Sequence, residues 1–166
     1  MSARAGDVVG LLARVVLGGT LVLAGALKVG DPGGSIRAVN AYQLLPLGVA
    51  EWVGYALPYL EMAVGLLLIA GLFTRTVAVV AGLLMTAFVF GISWAWAKGL
   101  QIDCGCFGGG GAVAAGETSY GLDLLRDGGL LLLALWLVVR PLSLLSLDRH
   151  WLGLGPTTTT TEGQTA

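Results

Sequence analysis

Four apolar runs, each close to the length of a bilayer crossing, constrain this chain more than any other feature. A helix needs about 20 mostly apolar residues to cross a hydrocarbon core of about 30 Å. Val8–Leu27, Ala50–Leu72, Val77–Ala97 and Ser119–Val139 meet that demand. Lipid offers no partner to a bare N–H or C=O, so each run must satisfy its own backbone and is expected as a helix. The predicted fold is all-α: an integral membrane four-helix bundle over residues 1–150. Composition agrees, because only 11% of the 166 residues are charged and 56% are hydrophobic, against about 25% charged in a soluble domain. A net charge of −1 leaves no basic surface for nucleic acid. The last run is the least regular, with Asp123, Arg126 and Asp127 in its first turns. Acidic groups there complement the helix dipole and suit the headgroup layer.

The first run also has the outline of a signal peptide, with Arg4 before it and small residues at Ala24-Gly25-Ala26. Arg14 interrupts it and the run is long for that role, so a retained span is the better reading. Leu142–Leu147, after Pro141, either extends the last helix or lies along the interface. The threonine-rich tail, 151–166, has nothing to bury and is expected to be disordered. Arg4, Arg14, Arg75, Arg140 and Arg149 lean to one side of a four-span topology. Lys28, Arg37, Lys98 and Arg126 lie on the other, among Asp31, Asp103, Glu117, Asp123 and Asp127. The modest bias of basic residues puts both termini in the cytoplasm. The connection Lys28–Val49 and the loop Lys98–Thr118 then face outward.

Both cysteines of the chain lie in that second loop, in Asp103-Cys104-Gly105-Cys106-Phe107, followed by four glycines. A disulfide needs Cα atoms within about 7 Å, so a pair spaced by one residue closes only with backbone strain. Glycine best tolerates the bend, and a strained bridge is one that exchanges readily. Three other readings stay open: a static disulfide, a zinc site, and unreactive buried thiols. A bridge over so short a loop restrains little chain. Zinc would need about four ligands, and the single histidine, His150, falls on the opposite predicted side. Thiolates are favoured by nearby positive charge, which makes Lys98 and Arg126 candidate tuning groups, while Asp103 acts the other way or accepts a proton. The plain alternative for Arg126 is an ion pair with Asp123 or Asp127.

A charge inside a span costs a few kcal/mol (about 2.5–3.5 on insertion scales) unless it is paired or hydrated. Counted at 1.5 Å per residue, Arg14 and Glu61 come to similar depths, and an intramembrane Arg14–Glu61 ion pair is expected. Lys28 and Glu51 are expected to pair near the outer boundary. Gly18, Gly19, Gly25, Gly65, Gly71 and Gly82 would allow close helix contact. Trp52, Trp94, Trp96, Trp136 and Trp151 read as interface anchors.

These residues resemble a known family, the DoxX-like membrane proteins, and within it the methylamine-utilisation MauE branch. The resemblance runs from Arg14 and Gly25-Ala26-Leu27-Lys28 through Asp31-Pro32, Tyr42-Gln43-Leu44-Leu45-Pro46 and Leu57-Pro58-Tyr59-Leu60-Glu61 to Gly65. Its sharpest parts are Cys104-Gly105-Cys106-Phe107-Gly108 and Leu125-Arg126-Asp127, and it covers most of residues 8–140. It implies a four-helix bundle tied to extracytoplasmic thiol–disulfide chemistry, with Cys104 and Cys106 exchanging and a thioredoxin-like protein as partner. Membrane quinone is the candidate electron carrier, since the chain lacks a second cysteine pair. Two other functions fit the resemblance: a non-catalytic subunit or assembly factor of a membrane redox complex, and a small quinone-linked oxidoreductase acting on reduced sulfur.

Overall fold

The computed structural model describes residues 3–105, 110–114 and 118–140, with side chains from Gly6 onward. It is mostly helical, with α1 (Ala3–Val29), α2 (Pro32–Ala41), α3 (Leu47–Ala70), α4 (Thr74–Ala97) and α5 (Tyr120–Val139). A two-residue antiparallel ladder, β1 (Ile102–Asp103) with β2 (Gly111–Ala112), ties the cysteine loop between α4 and α5. Three helices are long and apolar enough to cross a membrane: α1 from Gly6, α3 and α4. α5 is also 20 residues long, but it carries Asp123, Arg126 and Asp127. Residues 141–166 lie outside the described part, and with them His150, Trp151 and the threonine tail.

Local signals explain the helix ends. α2, which the apolar pattern did not announce, has Pro32 in its first turn and an Asp31 carboxylate that accepts from the Gly34 N–H at 2.8 Å. Both are ordinary helix-start devices. α3 ends at Gly71, whose left-handed φ of 69° lets its N–H return to the carbonyls of Leu67 and Leu68. The turn into α4 is therefore Gly71–Phe73. Thr74, Arg75 and Thr76, which precede the apolar run from Val77, form the first turn of α4.

The four long helices share one apolar core. Leu17 and Leu21 of α1 meet Val64 and Leu68 of α3, Ala78, Ala81 and Met85 of α4, and Ala134 and Leu137 of α5. α1 and α3 run antiparallel at very close range. A Cβ added at Gly18 would lie 2.8 Å from the Gly65 carbonyl oxygen, and one at Gly65 would lie 2.6 Å from the Gly18 oxygen. At Gly25 it would lie 2.5 Å from the Pro58 oxygen. Only hydrogen fits there, which is how small residues bring two membrane helices into backbone contact.

That register decides which charges meet. Gly18 beside Gly65 and Gly25 beside Pro58 bring Arg14 level with Ile69, and Glu61 level with the turn around Val22. Side chains lean toward the N-terminus of their own helix. In this antiparallel pair Lys28 and Glu61 therefore lean toward each other, and Arg14 and Glu61 lean apart. The expected Arg14–Glu61 ion pair is accordingly replaced. Lys28 Nζ donates to both Glu61 oxygens, at 2.7 and 2.9 Å, with both side chains buried. Arg14 donates from Nε to the Leu68 carbonyl and from Nη2 to the Ile69 carbonyl, each at 2.8 Å. It closes the last turn of α3, where a cation also meets the negative end of the dipole. Glu51, the expected partner of Lys28, is exposed.

The tryptophans divide. Trp52 is 78% exposed and Trp96 58%, in keeping with interface positions. Trp136 is instead partly buried against the shared core.

Candidate functional site

The loop after α4 is held by Tyr120, the first residue of α5. Its hydroxyl donates to the Leu100 carbonyl and accepts from the Ile102 N–H. Ile102 and Tyr120 pack with Ile92 and Ala95 of α4 in a second, smaller apolar cluster that Cys104 and Tyr42 border. From the other side, the Tyr42 hydroxyl donates to the Cys104 carbonyl at 3.1 Å. The chain turns directly after the cysteine. Gly105 is buried and left-handed, with φ at 68°. A Cβ at Gly110 would meet both Gly105 and Ala38 of α2. The glycine between the cysteines thus supplies the bend that the spacing demanded, and the loop is seated on α2.

Cys104 is half-buried, and charged groups surround its sulfur. Arg126 Nη2 lies 3.8 Å from Cys104 Sγ. The same guanidinium pairs with Asp123 at 3.2 Å and with the buried Asp127 at 2.8 Å. Asp123 is also hydrogen-bonded with the Cys104 side chain. Asp103 accepts from the Gly105 N–H at 3.4 Å and is otherwise turned to solvent. Of the two expected tuning cations, Arg126 is the one at the sulfur. Lys98 lies over the Trp94 ring, 4.8 Å from its centroid. Cys106 and Phe107 lie outside the described residues. Both readings of Arg126, ion pair and thiol neighbour, thus hold together. Sequence position announces Asp123 as a first-turn acidic group and, at three-residue spacing, as a partner of Arg126, whereas its contact with a cysteine 19 positions earlier needs the folded loop.

Beside Cys104 the helices part. A cavity of about 590 Å³ opens among α2, α3 and α4, with Cys104 and Gly105 in its wall. Its lining is apolar apart from Lys28, Ser35, Tyr42 and the cysteine. Deeper, a second space of about 20 Å³ separates Glu61 from Asp127, bordered by Thr20 and Arg126. That is about the room of one water molecule. Among the described residues no group of three or more His, Cys, Asp or Glu side chains is placed to hold a metal ion.

The profile of the methylamine utilisation protein MauE family matches residues 6–140, most of the chain. The chain belongs to the MauE family. In this MauE-family chain the match spans all five helices and the cysteine loop, including Lys28, Glu61, Cys104 and Arg126. Comparison with curated proteins and with solved structures finds no match.

Proposed function

We propose that this MauE-family membrane protein is a thiol–disulfide exchange protein. Cys104 and Cys106 trade a disulfide with a thioredoxin-like partner outside the cytoplasm. One thiolate attacks the partner's disulfide sulfur and displaces a partner thiolate, forming a mixed disulfide. The other cysteine then attacks that bond, releases the reduced partner and closes the Cys104–Cys106 bridge. The reverse sequence oxidises the partner.

The observation that carries this reading is the Arg126 guanidinium beside Cys104 Sγ, at 3.8 Å, in a loop beyond the ends of the apolar helices. Positive charge at that distance favours the thiolate, the nucleophilic form. The Asp123 carboxylate at the same sulfur is positioned to take up the thiol proton. α5 serves as the fourth crossing. Leu122, Leu125, Leu132, Leu135 and Val139 are at least half exposed along it, an apolar face suited to lipid. Its three charged residues turn instead toward one another and toward Cys104. Both termini then lie in the cytoplasm, and the cysteine loop lies outside.

Thioredoxin is a convenient probe partner. Full-length protein in nanodiscs, with Cys104 or Cys106 singly replaced by serine, is mixed with oxidised thioredoxin and resolved without reductant. One single variant should accumulate a covalent adduct, and the double variant should form none. If thioredoxin keeps the same redox state with wild type, with both single variants and with no protein, the exchange reading fails.

A further inference from the structure

We infer that the 590 Å³ cavity beside Cys104 is a binding site for a lipid-soluble quinone, which takes the electrons of the cysteine pair. This rests on the exchange reading and gives it an electron acceptor.

Three observations select the ligand class. The first is access. Leu44, Leu45, Val53, Leu60 and Phe90 belong to the lining yet are 37–61% exposed, so the mouth is apolar and faces the acyl chains. A ligand that enters there arrives from the lipid. The second is size, because about 590 Å³ lies inside the range of about 300–1,000 Å³ typical of small-molecule sites. It holds a substituted ring and the first part of a hydrocarbon tail. The third is the placement of polarity. Lys28 is 6% exposed and has three N–H donors. The two Glu61 oxygens engage it from one side, and the Phe88 ring, also in the lining, lies 5.6 Å from Nζ. A buried ammonium in the wall suits a carbonyl oxygen whose negative charge grows on reduction. Tyr42 and Cys104 add polar groups to the same lining. A simple acyl chain would use none of these polar groups.

The step balances. As the Cys104–Cys106 bond forms, the two thiols lose two electrons and two protons. The quinone gains both and becomes the quinol. The protein returns to its dithiol form by exchange with a partner thiol pair, so that partner disulfides accumulate at the expense of quinone.

The test uses full-length protein in nanodiscs and decylubiquinone. Binding is followed at equilibrium by quenching of tryptophan fluorescence, with Ala87→Phe on α4 and Leu57→Phe on α3 to fill the cavity from opposite walls. Leu132→Phe, on the lipid face of α5, is the control. Saturable one-to-one binding is expected for wild type and Leu132→Phe. It should weaken by about tenfold or more in both filled variants, the equivalent of a modest steric clash. Prereduced wild type should convert about one quinone per chain to quinol, with loss of both alkylatable thiols, whereas Cys104→Ser binds the quinone without reducing it. Unsaturable partition that is equal in all four proteins would overturn the site. Quinol formation by Cys104→Ser would overturn the electron route. Failure of thioredoxin exchange with quinone binding intact removes the exchange reading alone. Intact exchange without saturable quinone binding removes this inference alone.

Discussion

The two faces of α3 are built on opposite principles. Toward α1 the helix is packed to backbone contact, with Gly18, Gly25 and Gly65 leaving no space for a methyl group. Toward α4 it stands off around a cavity of about 590 Å³ that α2 helps to wall, although α2 itself closes on Gly54, where an added Cβ would lie 2.6 Å from the Ile36 Cα. The closed face gains van der Waals contact, the main source of helix association where lipid is as apolar as leucine. The open face gives up that contact and gains a space beside a cysteine. Lys28 belongs to both, anchored to Glu61 across the seam and lining the cavity. The difference teaches that the seam supplies the stability that lets the other side remain open.

The sharpest way to break the comparison is to remove the charge on which both faces depend. Lys28→Met leaves Glu61 buried without its cation, and losing one partner of a buried pair costs about 3–5 kcal/mol. SDS titration of the bundle, followed by circular dichroism, should show the largest loss of any single substitution discussed here. The double variant Lys28→Met/Glu61→Leu should recover most of it. If the double variant is as unstable as the single one, the pair is not the cause.

A smaller loss is expected from the seam itself. Gly25→Val places carbon where the Pro58 oxygen and Met62 side chain already sit, 2.5 and 2.6 Å from the new Cβ. Overpacking of this kind costs about 1–3 kcal/mol. The same SDS titration measures it, and a midpoint equal to wild type would mean that α1 and α3 separate without penalty.

The division between seam and cavity was only half visible in the sequence. Helix-length apolar runs are read directly because the bilayer imposes one length and one backbone solution on them. Of the six glycines expected at close helix contacts, Gly18, Gly25 and Gly65 sit in the seam, whereas Gly71 caps α3 and Gly19 and Gly82 have open space or ordinary contact around them. Depth along a helix is a weaker guide. Arg14 and Glu61 were matched by counting residues, yet partner choice followed from the register of the seam and from the direction in which side chains lean. The cavity had no signal, because its lining comes from five separated segments whose leucines and alanines look like any lipid-facing residue. α2 escaped because a hydrophobic-run search ignores the Asp31-Pro32 start of a short helix. The Cys104–Arg126 contact was anticipated, since two candidate cations flanked one loop. Choosing Arg126 over Lys98 needed the fold.

Arg126 tests the chemistry of the open side. In a Cys106→Ser background, Arg126→Gln removes the positive group 3.8 Å from Cys104 Sγ and leaves the Asp123 carboxylate there. The lost cation and the carboxylate that remains both disfavour the thiolate, so alkylation by a membrane-impermeant maleimide should slow by about tenfold at pH 7, one unit's worth of protonation free energy. Rates should converge at high pH, where the thiolate forms regardless. A uniform slowing at every pH would point to access rather than charge. The same labelling, applied to intact cells, places the loop. Modification from the cytoplasmic side alone would overturn the outward topology.

The smallest effect is expected at Gly91, the counterpart of Gly25 on the open side. An added Cβ there would lie 3.4 and 3.5 Å from the Tyr42 ring, ordinary contact distance, at the edge of the cavity. Gly91→Ala should therefore change stability by no more than about 0.5 kcal/mol, the range of substitutions that neither clash nor strand a polar group. Replacing a helical glycine with alanine even offsets part of any crowding, because it restrains the unfolded chain. Tyr42 holds the Cys104 carbonyl, so the alkylation rate of Cys104 reports whether that ring has moved. An unchanged midpoint with an unchanged rate is what an open wall predicts. A loss as large as that of Gly25→Val would mean that α4 is packed as tightly as the seam, and the contrast between the two faces of α3 would not survive it.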